Sequence, residues 1–143
     1  MDNSATTRPY DEVLELMYQV SSNSYGNPSS LHKKGIEAER LVIKARETIA
    51  DSLRVQAKEI IFTSAGTESN NLAIRGYLAA NPRKGRHIIT SRIEHPSVLE
   101  VFKALEEEGY EADYLDVDSN GKIDIKQLKE KINEETALIS IML

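Results

Sequence analysis

The stretch Ile60-Ile61-Phe62-Thr63-Ser64-Ala65-Gly66-Thr67-Glu68-Ser69-Asn70-Asn71-Leu72-Ala73-Ile74 decides how the chain is read. It opens as a short apolar, β-branched run, which predicts a buried strand over residues 60–63. Small residues follow at Ser64-Ala65-Gly66, and Leu72-Ala73-Ile74 continue with spacing that suits a helix. A strand, a glycine turn and a helix start form a common anion site. The first backbone N–H groups of the helix have no intrahelical acceptor, and the helix dipole favours negative charge there. The expectation is a phosphate on Gly66, Thr67 and Glu68, with the Thr67 hydroxyl as an added donor. An ordinary strand-to-helix turn is the competing reading. The stretch is neither a G-x-x-x-x-G-K-[ST] loop nor a G-x-G-x-x-G loop, so this motif alone does not choose between the two.

Toward the N-terminus, residues 31–53 predict a long amphipathic helix, with Ile36, Leu41, Ile43, Ile49 and Leu53 on one side and charged residues on the other. Gly35 early in that helix lowers its stability by about 1 kcal/mol relative to alanine and marks a candidate close contact. Residues 21–30 (SSNSYGNPSS) are dense in turn formers. Pro9 is placed in the first turn of an earlier helix carrying Val13, Leu14, Met17, Tyr18 and Val20. Residues 2–7 read as a polar loop.

Toward the C-terminus, His87-Ile88-Ile89-Thr90 predicts a second buried strand, residues 91–96 a loop, and Pro96 the start of a helix that stops at Gly109. Residues 110–117 predict a strand. Asp124 and Gln127 have the spacing of a capping box on a short helix. Residues 137–143 (ALISIML) predict a last strand, apolar without alternation and so buried on both faces. Strands alternating with helices imply an α/β fold with a parallel sheet. Ligands of such sheets bind at the C-terminal strand ends. Because the last strand is followed by no covering segment, the expectation is that the chain is the leading part of a longer one or is completed by a second polypeptide.

Of the three histidines, His32 and His87 read as structural or exposed. His95 differs, because it follows a strand and precedes Pro96, on the expected edge of Gly66 and Thr67. An imidazole there can stack on a planar ligand, serve as acid or base, or simply begin a helix. Residues 116–127 imitate a calcium loop up to Gly121. The twelfth position is Gln127, which cannot supply the bidentate carboxylate, so a strand-turn-helix connection is favoured and no metal site is expected.

The net charge of -5 provides no overall field toward nucleic acid or an anionic membrane. No run is long enough to span a bilayer and no signal peptide is evident, so the expected location is cytoplasmic. The cysteine count is zero, which excludes a disulfide, a thiolate metal site or a cysteine nucleophile within these 143 residues.

Five stretches together resemble the cysteine desulfurases of the NifS/IscS type, which are class-V, fold-type I enzymes using pyridoxal 5′-phosphate. They are Asp2-Asn3-Ser4-Ala5-Thr6-Thr7, Tyr25-Gly26-Asn27-Pro28-Ser29-Ser30, the run from Phe62 to Asn71, Ile88-Ile89-Thr90 with Glu94-His95, and Ser140-Ile141-Met142. They occur in the family's order and spacing. The resemblance implies that residues 1–143 are the N-terminal part of a three-layer αβα large domain with a mainly parallel sheet. Residues 1–30 are open to packing with a smaller domain, and the C-terminal remainder is absent. It implies that Gly66 and Thr67 hold the cofactor phosphate, and that His95 stacks on the pyridine ring and assists proton transfer.

The implied reaction converts L-cysteine to L-alanine, with sulfur passed on as an enzyme persulfide to an acceptor protein for iron–sulfur cluster assembly or thio-modification. A homodimer is implied. A selenocysteine lyase, another aminotransferase-class enzyme, or a non-catalytic truncated or two-chain component are the alternatives. The family's Schiff-base lysine, pyridinium-pairing aspartate, carboxylate-binding arginine and catalytic cysteine have no matching positions here. None of the ten lysines sits in such a context, so the isolated chain is expected to be inactive.

Overall fold

The computed structural model describes residues 6–142. The readings made on residues 2–5 and on Leu143 lie outside the described residues. The chain divides into two compact units, Met1–Ile61 and Phe62–Leu143.

The first unit is helical. Helix α1 spans Asp11–Asn23 and α2 spans Lys33–Leu53, followed by a 3₁₀ turn at Ala57–Glu59. Pro9 lies two residues before α1, whose N-cap is Tyr10, rather than in its first turn. The α2 N-cap is His32, whose Nδ1 accepts the Gly35 N–H at 3.3 Å. Gly35 is the close contact anticipated above: a Cβ there would lie 2.0 Å from the Ser30 carbonyl oxygen and 2.8 Å from that of Asn27. A Cβ on Gly26 would meet the Lys34 carbonyl oxygen at 2.2 Å. Two glycines therefore let the Tyr25–Ser30 loop lie directly on the first turn of α2. The apolar side of α2 is not buried as a core. Helix α1 buries none of its residues and α2 only Gly35, Ala38 and Ala50.

The second unit holds the sheet. In order come α3 (Gly66–Ala80), β1 (His87–Ser91), α4 (Pro96–Glu107), β2 (Glu111–Leu115), α5 (Ile125–Lys131) and β3 (Thr136–Ser140). The strands lie in the order β2-β1-β3 and both pairings are parallel. The α/β class and parallel sheet are thus as expected. On one face, Ile74 and Leu78 of α3, Val98, Val101, Phe102 and Leu105 of α4, Ile88 of β1 and Ala137 of β3 form the core. On the other face α5 meets β2, where Lys131 Nζ reaches Asp113. Gly109, at φ +88°, ends the segment after α4 in the left-handed conformation that glycine tolerates.

Three expectations fail. Residues 60–63 are not a strand in the described structure. Their β-branched composition favours extended backbone, but a ladder requires a neighbouring strand in register, and Ile61 and Phe62 stay exposed. The last strand is Thr136–Ser140 and lies at an edge; β1 is the central strand. Its Ile139 is 40% exposed, so it is not buried on both faces. At α5, Asp124 caps as expected by accepting the Lys126 N–H at 2.7 Å. Gln127 does not complete a capping box, and its Oε1 is buried without a partner.

Candidate functional site

The N-terminus of α3 is built open. Its N-cap is Ala65, which has no side-chain acceptor for the first-turn amides. A Cβ added to Gly66 would meet nothing within 4 Å, so this glycine relieves no clash within the chain and leaves free space at the helix start. Thr67 is exposed and follows directly. The Glu68 carboxylate folds back, and Oε2 accepts the Ser64 N–H at 2.6 Å and the Ser64 hydroxyl at 2.8 Å. These two bonds, the backbone one foremost, hold the Glu68 carboxyl below the usual carboxylate range. Glu68 therefore satisfies a donor before the helix and does not cap Gly66 or Thr67. Charge at this position also suits the dipole.

The N-terminus of α4 lies beside it. His95 is the N-cap and Pro96 occupies the first turn, where its missing N–H is no loss. His95 Nδ1 accepts the Ser97 N–H at 3.1 Å and lies 2.8 Å from Ser97 Oγ. Asn70 Nδ2, from the second turn of α3, donates to the same Ser97 Oγ at 2.8 Å. Thr67, Asn71, Arg75, His95, Ser97 and Glu100 line one open cleft of about 350 Å³. Thr67 and His95, singled out separately in the sequence, thus face a common space. Gly66, one residue before Thr67 at the helix end, is not among the residues that line it. Arg75 is already engaged by Glu108 at 2.7 Å.

The residue set fits a phosphate-bearing planar ligand at the level of chemistry. Two adjacent backbone amides and a hydroxyl sit at an uncapped helix start, with space where a side chain would be. An exposed imidazole stands on the adjoining helix. Glu94, before His95, is buried, and its Oε1 accepts from Ser91 Oγ at 2.9 Å and from the Met142 N–H at 2.6 Å.

Sequence reasoning gave no role to Asn70, Ser97 or the buried Glu94. The i, i+3 spacing of Thr67 and Asn70 was a usable signal, because it places both on one helix face. The calcium-like segment is a local turn: Asp118 Oδ1 accepts the Asn120 and Lys122 N–H groups. Among the described residues no cluster of His, Asp or Glu could hold a metal ion. No described helix is long and apolar enough to cross a membrane.

Residues 1–143 match the aminotransferase class-V family pattern. A putative cysteine desulfurase, IscS 1, of Bacillus subtilis is 46% identical over 142 residues, which is 99% of this chain and 38% of that protein. Cysteine desulfurase IscS 1 of Archaeoglobus fulgidus is 42% identical over 138 residues, covering 96% of this chain and 36% of that one. Among solved structures, a NifS-like protein superposes with a TM-score of 0.89 at 44% identity, over 99% of this chain and 39% of its own. A protein described as SspA in complex with cysteine gives 0.85 at 40% identity, over 98% and 40%. The chain therefore spans under two-fifths of the length of the first two relatives.

Proposed function

We propose, from the premise that this chain belongs to the aminotransferase class-V family, that it forms the leading part of a pyridoxal 5′-phosphate-dependent cysteine desulfurase. The observation that carries the reading is the shared cleft of Thr67 and His95. Residues 1–143 are read as the N-terminal part of the large domain. The reading includes L-cysteine as substrate, a sulfur-acceptor protein, a homodimer and a cytoplasmic location.

When bound, the cofactor supplies an electron sink for charge developing on the substrate. This chain's own residues bind and orient. The Gly66 and Thr67 amides and the Thr67 hydroxyl hold the phosphate at the α3 N-terminus, where the helix dipole adds to three donors. Ala65 leaves those amides uncapped, and Glu68 is kept away from them by Ser64. His95 presents its ring to the cleft from the rigid start of α4. The lysine, aspartate and cysteine that the reaction requires are assigned to no residue of this chain.

The test is release of alanine and sulfide from L-cysteine with the cofactor and a dithiol reductant present, the dithiol supplying the two electrons that convert persulfide sulfur to sulfide. These 143 residues alone are expected to release neither above the rate with free cofactor. A polypeptide carrying them together with a Schiff-base lysine and a reactive cysteine is expected to release both in equal amounts. In that polypeptide His95→Ala is expected to lower turnover more than it lowers stability, although it also removes the N-cap of α4. No alanine formation by the longer polypeptide with cofactor bound would overturn the reading.

A further inference from the structure

We propose that Asn70 and Ser97 are positioning residues that hold His95 as the Nε2–H tautomer, so that His95 meets the cleft's ligand as a hydrogen-bond donor. One donor at His95 cannot reverse. The Ser97 backbone N–H donates to His95 Nδ1 at 3.1 Å, so that nitrogen carries no proton. The Ser97 hydroxyl lies 2.8 Å from the same nitrogen. With no proton on Nδ1, that contact is a hydrogen bond only if Ser97 O–H donates. The hydroxyl's proton is then committed, and Asn70 must present its NH₂ to Ser97 Oγ, as it does at 2.8 Å. A neutral imidazole with an accepting Nδ1 carries its proton on Nε2. No described residue hydrogen-bonds to Nε2, and His95 is exposed along the cleft.

Capping α4 requires only the Ser97 N–H bond. The Asn70–Ser97 relay is additional, and it is shielded: Ser97 is buried and Asn70 is half-buried. Asn70 also sits one helical turn beyond Thr67 on α3. One helix face therefore presents both the phosphate donor and the group that sets the imidazole's proton. The inference rests on the cofactor reading for the identity of the ligand, and its test does not use the cofactor.

The test is nitrogen NMR of the protein with ¹⁵N-labelled histidine, at a pH where the rings are neutral. His95 is assigned by loss of its signals in His95→Asn, which keeps an N-capping side chain. The expected result is a hydrogen-bonded, unprotonated Nδ1 and a protonated Nε2. Asn70→Asp is close in shape but offers acceptors only, so the Ser97 hydroxyl turns to the carboxylate. Nδ1 then keeps only the 3.1 Å backbone donor, and partial loss of the Nε2–H tautomer is expected with helix content unchanged. Ser97→Ala is expected to give the same partial loss, and Ser97→Thr to restore the wild-type signals. A dominant Nδ1–H form in the wild type would overturn the proposal, as would unaltered His95 signals in both Asn70→Asp and Ser97→Ala. Failure of the cofactor reading has a separate signature, unchanged cofactor affinity in Thr67→Ala, which leaves the tautomer result standing.

Discussion

Glu94 Oε1 accepts the backbone N–H of Met142 at 2.6 Å, and one buried carboxylate thereby ties the loop after β1 to the segment after β3. The same oxygen accepts from Ser91 Oγ. Glu94→Ala leaves a buried amide and hydroxyl without their acceptor. Hydrogen bonds to a charged group are worth about 1.5–3 kcal/mol, and a loss of that order is expected in urea unfolding. Glu94→Gln keeps an acceptor oxygen and is expected to lose less.

Gly66 separates a ligand role from a structural one. Its Cβ position is empty, and alanine is the better helix former by about 1 kcal/mol in a helix interior. Gly66→Ala is therefore expected to leave the melting temperature unchanged or slightly higher. The methyl group occupies the space assigned to the phosphate, so cofactor affinity should fall. A fall in stability would point instead to a backbone requirement at Gly66.

Gly35 shows the opposite balance. Alanine gains about 1 kcal/mol in helix propensity, but its Cβ would sit 2.0 Å from the Ser30 carbonyl oxygen. Overpacking of this kind costs about 1–3 kcal/mol, and here the obstruction is backbone rather than a movable side chain. Gly35→Ala is expected to destabilise the protein in denaturant titration. The Tyr25–Ser30 loop should become more susceptible to proteolysis.

Asp113 predicts a pH dependence. Partial burial opposes its ionisation, but the hydrogen bonds from Lys131 and His87 outweigh that, so its carboxyl is held below the usual range. A carboxyl depressed in the folded state contributes stability that is present above its unfolded pKa of about 3.9. That contribution is lost as pH falls through the folded value. Asp113→Asn should therefore be less stable than wild type near neutrality. The difference between the two should shrink on acidification below about pH 4.

Much of the second unit was legible because period and punctuation agreed there. His87-Ile88-Ile89-Thr90 gave β1, Pro96 and Gly109 bracketed α4, and Asp124 marked the start of α5. Residues 60–63 misled because composition reports preference for extended backbone and says nothing about whether a partner strand lies alongside. The ALISIML run misled for a related reason: apolarity does not tell an edge strand from a central one. At the site, Gly66, Thr67 and His95 stood out through type and context. Asn70 and Ser97 did not, because their bond joins residues 27 apart in sequence and only packing of α3 against α4 brings them together.

The central claim is that the α3 N-terminus holds a phosphate through Gly66 and Thr67, and it is tested most directly by cofactor affinity in Thr67→Ala. Thr67 is exposed, so the substitution should not disturb folding. The dissociation constant for pyridoxal 5′-phosphate, measured on the cofactor-binding protein, is expected to rise roughly 10- to 150-fold, matching a charge-assisted hydrogen bond of about 1.5–3 kcal/mol. An unchanged dissociation constant would contradict the account.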